Sequence, residues 1–168
     1  MTDEIDDVVD AVMTASRAML SVVARSLAAA GEPSGGSAGE VTLPQYRALV
    51  VLAQHGTRRP ADLATALAVS ASTATRMCDR LVGRGLVERA RTGDDRREVA
   101  LVLSPAGRAL VDEVTRLRRA EMHRLLATLP AAERVAVRDA LRRFADAAGE
   151  VGETDWAVAP LGTEGGAR

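Results

Sequence analysis

A chain of 168 residues makes about one domain. At 47% hydrophobic and 27% charged residues it has material for a packed core, which excludes wholesale disorder. No run approaches the ~20 apolar residues of a membrane helix, and Met1 to Asp10, with five acids and no base, lacks the make-up of a secretory signal. The single Cys78 excludes an internal disulfide framework, and with only His55 and His123 beside it a Cys/His zinc cluster is hard to build within one chain. The expected compartment is a reducing cytoplasm, with no cofactor, no metal and no membrane partner.

Only Tyr46, Phe144 and Trp156 are aromatic, so the core has to be Leu, Val, Ala and Met. All 22 basic residues are arginines, and the net charge is −1. That balance argues against a nucleic-acid binder until its distribution is considered. From Arg58 to Arg97 there are nine arginines against five acids, or +4, whereas the remainder holds 13 arginines against 18 acids, or −5. The middle of the chain is basic and the two ends are acidic.

In chain order, Ile5, Val8, Val9, Val12, Met13, Met19, Leu20, Val23 and Leu27 repeat at three- and four-residue spacing and predict an amphipathic helix over 5–29. Gly31 to Gly39 is a small-residue loop. Thr42-Leu43-Pro44-Gln45 has the form of a capping box and opens a helix through about Gln54, with Leu49, Leu52 and Ala53 inward. Pro60 starts a short helix, Ala61 to Ala68. Ser70 caps the next, about Ala71 to Arg84, which stops at Gly85. Two short helices meeting at Ala68-Val69-Ser70 predict a helix-turn-helix.

Leu86 to Ala90 and the aliphatic Val99 to Leu103 then predict a β-hairpin with the charged tip Arg91-Thr92-Gly93-Asp94-Asp95-Arg96-Arg97. Ser104-Pro105 opens a helix to about Thr128, with Leu110, Val114, Leu117 and Leu125 in one stripe. Pro130 breaks it. A last helix follows from Ala131 to about Val151, with Val137, Leu141, Phe144 and Ala148 as its apolar face. Residues 152–168 read as a loose tail.

The fold class expected is mainly α with a small β-hairpin wing: a winged helix-turn-helix over 42–103, flanked by helical regions at 1–30 and 104–151, with a flexible loop at 31–41. The flanking helices carry three apolar stripes, more than one small core can cover, and so call for a partner.

The segment Leu63 to Gly107 resembles the multiple antibiotic resistance regulator (MarR) family. The resemblance rests on Leu81 with Arg84-Gly85-Leu86-Val87-Glu88-Arg89, on Asp95-Arg96-Arg97, and on Leu103-Ser104-Pro105-Ala106-Gly107, in that order and spacing. It extends over about residues 43–148. The 31–39 loop is longer than this family usually has between its first two helices. The resemblance implies a homodimer whose N- and C-terminal helices intertwine, and a transcriptional regulator, most often a repressor, acting on a palindromic operator in double-stranded DNA.

The recognition helix agrees with that implication. Ser70, Ser72, Thr73, Thr75 and Arg76 occupy its N-terminal turns, where short polar groups and an arginine reach base edges and phosphates in the major groove. Arg58, Arg59 and Arg80 add positive charge nearby, while Met77, Leu81 and Cys78 fall on the inward side. For an isolated helix, a merely solvated polar face would be the blander account. At the wing, the resemblance implies Arg97 as the minor-groove arginine, with Asp95 orienting it and Arg96 beside it on the backbone; an ordinary charged turn is the alternative.

The family also implies a small aromatic or anionic effector in a cleft between dimer helices and winged helix. Candidate contacts are Met13, Ser16 and Arg17 on the first helix and Tyr46 and Arg47 on the second. Against this stands the possibility that Tyr46 is a core residue and that Arg17 and Arg47 are surface charges. Cys78 is expected to be a buried inert thiol. A winged helix used only for protein–protein contact is the alternative function. No phosphate-binding, dinucleotide or nucleophile motif indicates an enzyme.

Overall fold

A computed structural model describes residues 2–31, 41–91, 99–150 and 152 of the chain. Its elements are α1 (Thr2–Ala30), α2 (Leu43–His55), α3 (Pro60–Ala66), α4 (Ala71–Gly83), β1 (Val87–Arg91), β2 (Val99–Leu103), α5 (Pro105–Leu126) and α6 (Ala131–Ala147). This is the mainly helical fold with a two-stranded antiparallel hairpin that the sequence predicts, Val87 pairing with Leu103 and Arg91 with Val99. No described helix is long and apolar enough to cross a membrane.

The core forms around α2. Its run from Ala48 to Ala53 is buried on every side, because α3, α5 and β2 pack around it. Leu49, Leu52, Leu63, Leu81, Leu101, Val111 and Val114 are buried almost completely, each contributing about 1.5–3 kcal/mol of apolar transfer. The capping box forms as expected: Gln45 donates its backbone N–H to Thr42 Oγ1 at 3.4 Å, and Thr42 N–H donates to Gln45 Oε1 at 3.0 Å.

Several boundaries differ from the periodicity reading. Helix α1 starts at Thr2, with Asp3 and Glu4 in its first turn, where carboxylates meet the positive helix end. Helix α3 ends at Ala66, two residues early, because Ala68 turns left-handed at φ 53°. Val69 N–H then bonds Ala64 O (3.0 Å) and Ala68 N–H bonds Thr65 O (3.1 Å), a Schellman closure. That closure is the turn of the helix-turn-helix. Helix α4 closes the same way at Gly85, φ 68°. Helix α5 stops at Leu126 as Thr128 and Leu129 bond back three residues before Pro130. Helix α6 ends at Ala147 rather than near Val151, by a third Schellman turn through Gly149.

The hairpin holds one feature that periodicity does not signal. Arg58 pairs with Leu101 in both directions (Arg58 N–H to Leu101 O, 3.0 Å; Leu101 N–H to Arg58 O, 2.7 Å), a one-residue third strand. The wing is thereby anchored to the segment entering the helix-turn-helix. Beyond it, Ser104 accepts from Gly107 N–H (2.9 Å) as N-cap of α5 and donates its hydroxyl to Gly85 O (2.6 Å). One serine therefore joins the end of the recognition helix to the start of α5.

The outer helices are different. No residue of α6 is buried, and Phe144 is 59% exposed, with Val135 and Leu141 also open to solvent. On α1 the C-terminal part is buried through Val22 and Leu27, whereas Ile5, at 61% exposure, Val8, Val9, Val12 and Met13 are exposed. Contacts of α1 run mainly to α5, assisted by Arg25 on Glu121, whose carboxylate also accepts from Nε and Nη2 of Arg124.

Candidate nucleic-acid interface

Helix α4 is two-sided. Ala74, Met77, Cys78 and Leu81 are buried, and this apolar stripe sets the rotation of the helix. Ser72, Thr75, Arg76 and Arg80 are thereby exposed on the outer face, with Thr73 half-buried at its margin. Ser70 is the N-cap, accepting from Thr73 N–H at 3.2 Å and donating to the Thr73 hydroxyl at 2.9 Å. Thr75 donates its hydroxyl to Ala71 O (2.9 Å), and Arg76 donates Nε to Ser72 O (3.3 Å). These local bonds hold the side chains close to the helix while its outer surface stays open.

Of the two arginines ahead of the turn, Arg58 is half-buried with its backbone committed to the sheet. Exposed Arg59 precedes α3, its N–H donating to the Asp62 carboxylate at 3.1 Å. Asp94, Asp95, Arg96 and Arg97, the wing-tip residues, lie outside the described residues.

Two pairings on this face are not visible in the linear sequence. Asp79, an acid on the exposed side of α4, is paired with Arg89 of β1. The pair cancels a negative charge on the basic surface and ties the recognition helix to the wing strand. Arg84, at the C-cap of α4, donates to Gln45 Oε1 at 3.1 Å, and Gln45 is buried. The α2 capping box thus also holds the far end of α4. Ten and 39 residues separate the partners, spacings that no single-helix pattern picks out.

Cys78 is buried on the inward side, as expected. Burial raises its thiol pKa above the ordinary value, and neighbouring Asp79 adds to the shift.

The effector candidates divide. Tyr46 is 4% exposed and joins the core, yet its hydroxyl has no hydrogen-bond partner among the described residues. Tyr46 and Arg47 line a cavity of about 670 Å³ between α2, α5 and α6. Met13, Ser16 and Arg17 do not line it. Ser16 donates to Met13 O (2.8 Å) and Arg17 to Thr14 Oγ1 (3.1 Å), both within exposed turns of α1. Within one chain, then, the first-helix candidates and the second-helix candidates are not brought together.

Two helices at a tight turn, an outward polar and basic face on the second, and a hairpin beside it define a winged helix-turn-helix DNA-binding protein. Residues 41–99 match the MarR family model. The chain is 34% identical over 107 residues to the HTH-type transcriptional repressor NicR of Pseudomonas putida, covering 64% of this chain and 68% of that protein. RV1404 from Mycobacterium tuberculosis has a similar structure, with TM-score 0.78 and 39% identity, over 89% of this chain and 97% of that one. BpsR of Bordetella bronchiseptica, whose DNA binding is regulated by 6-hydroxynicotinic acid, matches with TM-score 0.56 and 26% identity over 82% and 91% of the two chains. The chain belongs to the MarR family of transcriptional regulators.

Proposed function

We propose that this protein is a homodimeric repressor that binds a palindromic operator and releases it when a small organic acid binds. The observation that carries the DNA-binding part is the two-sidedness of α4: its buried stripe leaves Ser72, Thr75, Arg76 and Arg80 on one open face. Arg76 or Arg80 paired bidentately with a guanine supplies about 1–3 kcal/mol of discrimination. Ser70 serves the fold first, as N-cap. Arg58 and Arg59 face the phosphate backbone, and Arg97, with Asp95 and Arg96, enters the minor groove.

Residues 1–30 and 104–151 serve as the dimerisation region and 42–103 as the DNA-binding unit. The exposed apolar residues of α1 and α6 support this division, since such patches on a soluble protein mark association surfaces. In the dimer the two α4 helices address half-sites roughly 34–36 Å apart, one turn of DNA. The repressor name of NicR and the 6-hydroxynicotinic acid response of BpsR favour repression relieved by an acid.

The test is fluorescence anisotropy on the DNA upstream of the protein's own gene over a range of salt. Affinity should fall steeply with salt as phosphate contacts release counterions. Arg76→Ala and Arg97→Ala should each weaken binding, and Arg116→Ala, whose side chain is held by Glu113 on α5, should leave it unchanged. Equal losses in all three, or tight binding to a protein partner with no DNA affinity, would count against the assignment.

A further inference from the structure

Among the described residues only three polar side chains are buried, those of Ser26, Gln45 and Ser104. Two of the three converge on consecutive positions at the end of the recognition helix. Gln45, on α2, accepts from the guanidinium of Arg84, and Ser104, the N-cap of α5, donates its hydroxyl to Gly85 O. Packing alone calls for apolar side chains, because a polar group loses its water on burial and needs a partner in return. Two such groups at one helix end point to a demand for direction, which apolar contact does not supply.

Gln45 carries the longer connection. Its Oε1 accepts Thr42 N–H at 3.0 Å and Arg84 Nη1 at 3.1 Å, which fills both lone pairs of the carbonyl. Arg84 is half-buried at the C-cap of α4, where its charge also suits the negative helix end. Otherwise α4 packs chiefly on α3 and β1, with its apolar stripe inward. That contact fixes the rotation of the helix but resists tilting less than a directional bond does, and the exposed Asp79–Arg89 pair is a weaker tie. With 13 residues, α4 is about 20 Å long. A tilt of about 10° at one end carries the other through about 3 Å, the length of a base contact. The first turn of α2 also runs beside the reading face: Thr42, Pro44 and Gln45 share a cleft of about 310 Å³ with Thr73, Arg76 and Arg80.

We propose that Gln45 is a positioning residue for operator discrimination. Through Arg84 it fixes the tilt of α4, with Ser104 on Gly85 as the second fixed point, and so places Arg76 and Arg80 against base edges. Buried at 4% exposure, Gln45 acts without touching DNA. The proposal rests on the operator-binding reading given above and deepens it, by naming what holds the recognition helix at its reading angle. Phosphate binding is set by charge and carries no sequence information, whereas base contacts depend on placement. Loss of the Gln45–Arg84 bond therefore falls on discrimination, and general DNA affinity survives it.

Anisotropy of the full-length protein on two duplexes tests this: the sequence that wild type selects from random DNA, and a scramble of the same composition. Gln45→Met, similar in size and uncharged, should lower affinity for the selected duplex about tenfold, the order of one bidentate base contact, and for the scramble less than about twofold. Arg84→Met leaves the Thr42–Gln45 box whole and should lower the ratio of the two affinities by a similar factor, even where Gln45→Met unsettles α2. The two residues act as one unit, so the double variant should lose no more of that ratio than the larger single loss. Gln45→Glu, which keeps an acceptor for Thr42 and Arg84, should recover the wild-type ratio to within about threefold. A parallel fall on both duplexes, additive losses in the double variant, or no recovery in Gln45→Glu overturns the positioning role and leaves the regulator assignment standing. A wild type that selects no sequence fails the operator reading, and the positioning role with it.

Discussion

Gly107 on α5 lies against the carbonyl of Leu86: a Cβ built on Gly107 would stand 2.1 Å from that oxygen and 2.9 Å from Leu103 Cδ1. The same Leu86 carbonyl accepts the Ser104 N–H at 3.1 Å, so it has little freedom to withdraw. The Leu103-Ser104-Pro105-Ala106-Gly107 stretch is therefore a joint. Serine caps α5 and bonds Gly85, proline starts the helix, and glycine admits the passing backbone.

Gly107→Ala should accordingly destabilise the protein by about 1–3 kcal/mol or more through overpacking against backbone. Gly83→Ala is the control, because nothing lies within 4 Å of its Cβ position and it ends α4. That change should be neutral or add up to about 1 kcal/mol from helix propensity. Urea unfolding of both variants measures the contrast. Equal stability of the two would show that α5 does not press on Leu86.

At the helix-turn-helix corner, Ala68 holds φ 53°, a conformation that costs a side-chain-bearing residue about 1–2 kcal/mol. Ala68→Gly relieves this while adding about 0.5–1 kcal/mol of unfolded-chain entropy. The net expectation is a gain of up to about 1 kcal/mol, with operator affinity unchanged. A melting temperature that falls would mean that the Ala68 methyl packs in a way its exposure does not suggest.

The Cys78 thiol is held above its ordinary pKa, first by burial and then by Asp79. At a given pH its thiolate fraction is thus smaller than that of a free thiol, and the difference closes only as pH rises through the elevated value. Iodoacetamide at pH 8 should label the native protein more than about tenfold more slowly than the urea-unfolded chain. Comparable rates would show that the native fold does not shield the Cys78 thiol.

Phe144→Glu should weaken self-association without loss of helix, because no residue of α6 is buried within the chain while Phe144 is one of its most exposed apolar side chains. Sedimentation velocity and far-ultraviolet circular dichroism read the two effects separately. A variant that remains dimeric at low micromolar concentration would move the association surface away from α6.

Most of the secondary structure was legible because its causes are local. The caps at Thr42, Ser70 and Ser104, the Gly85 stop and the inward stripe of α4 are each set by residues within a turn or two of one another. Helix ends are less legible: α3 and α6 stop at Schellman turns, and Ala68 carries no glycine signal. The Arg58–Leu101 bridge also escaped, since a one-residue strand has no period of its own.

The candidate site divides along the same line. Periodicity alone determined which α4 residues face outward, as a single apolar stripe fixes the rotation of a helix. Only the tertiary structure decided that Asp79 is neutralised by Arg89, that Gln45 holds Arg84, and that Tyr46 and Arg47 share a cavity with α6 rather than with Met13, Ser16 and Arg17. Those relationships join positions 10 to 103 residues apart. Their partners are selected by how whole helices pack, and side-chain spacing along one helix carries no record of that choice.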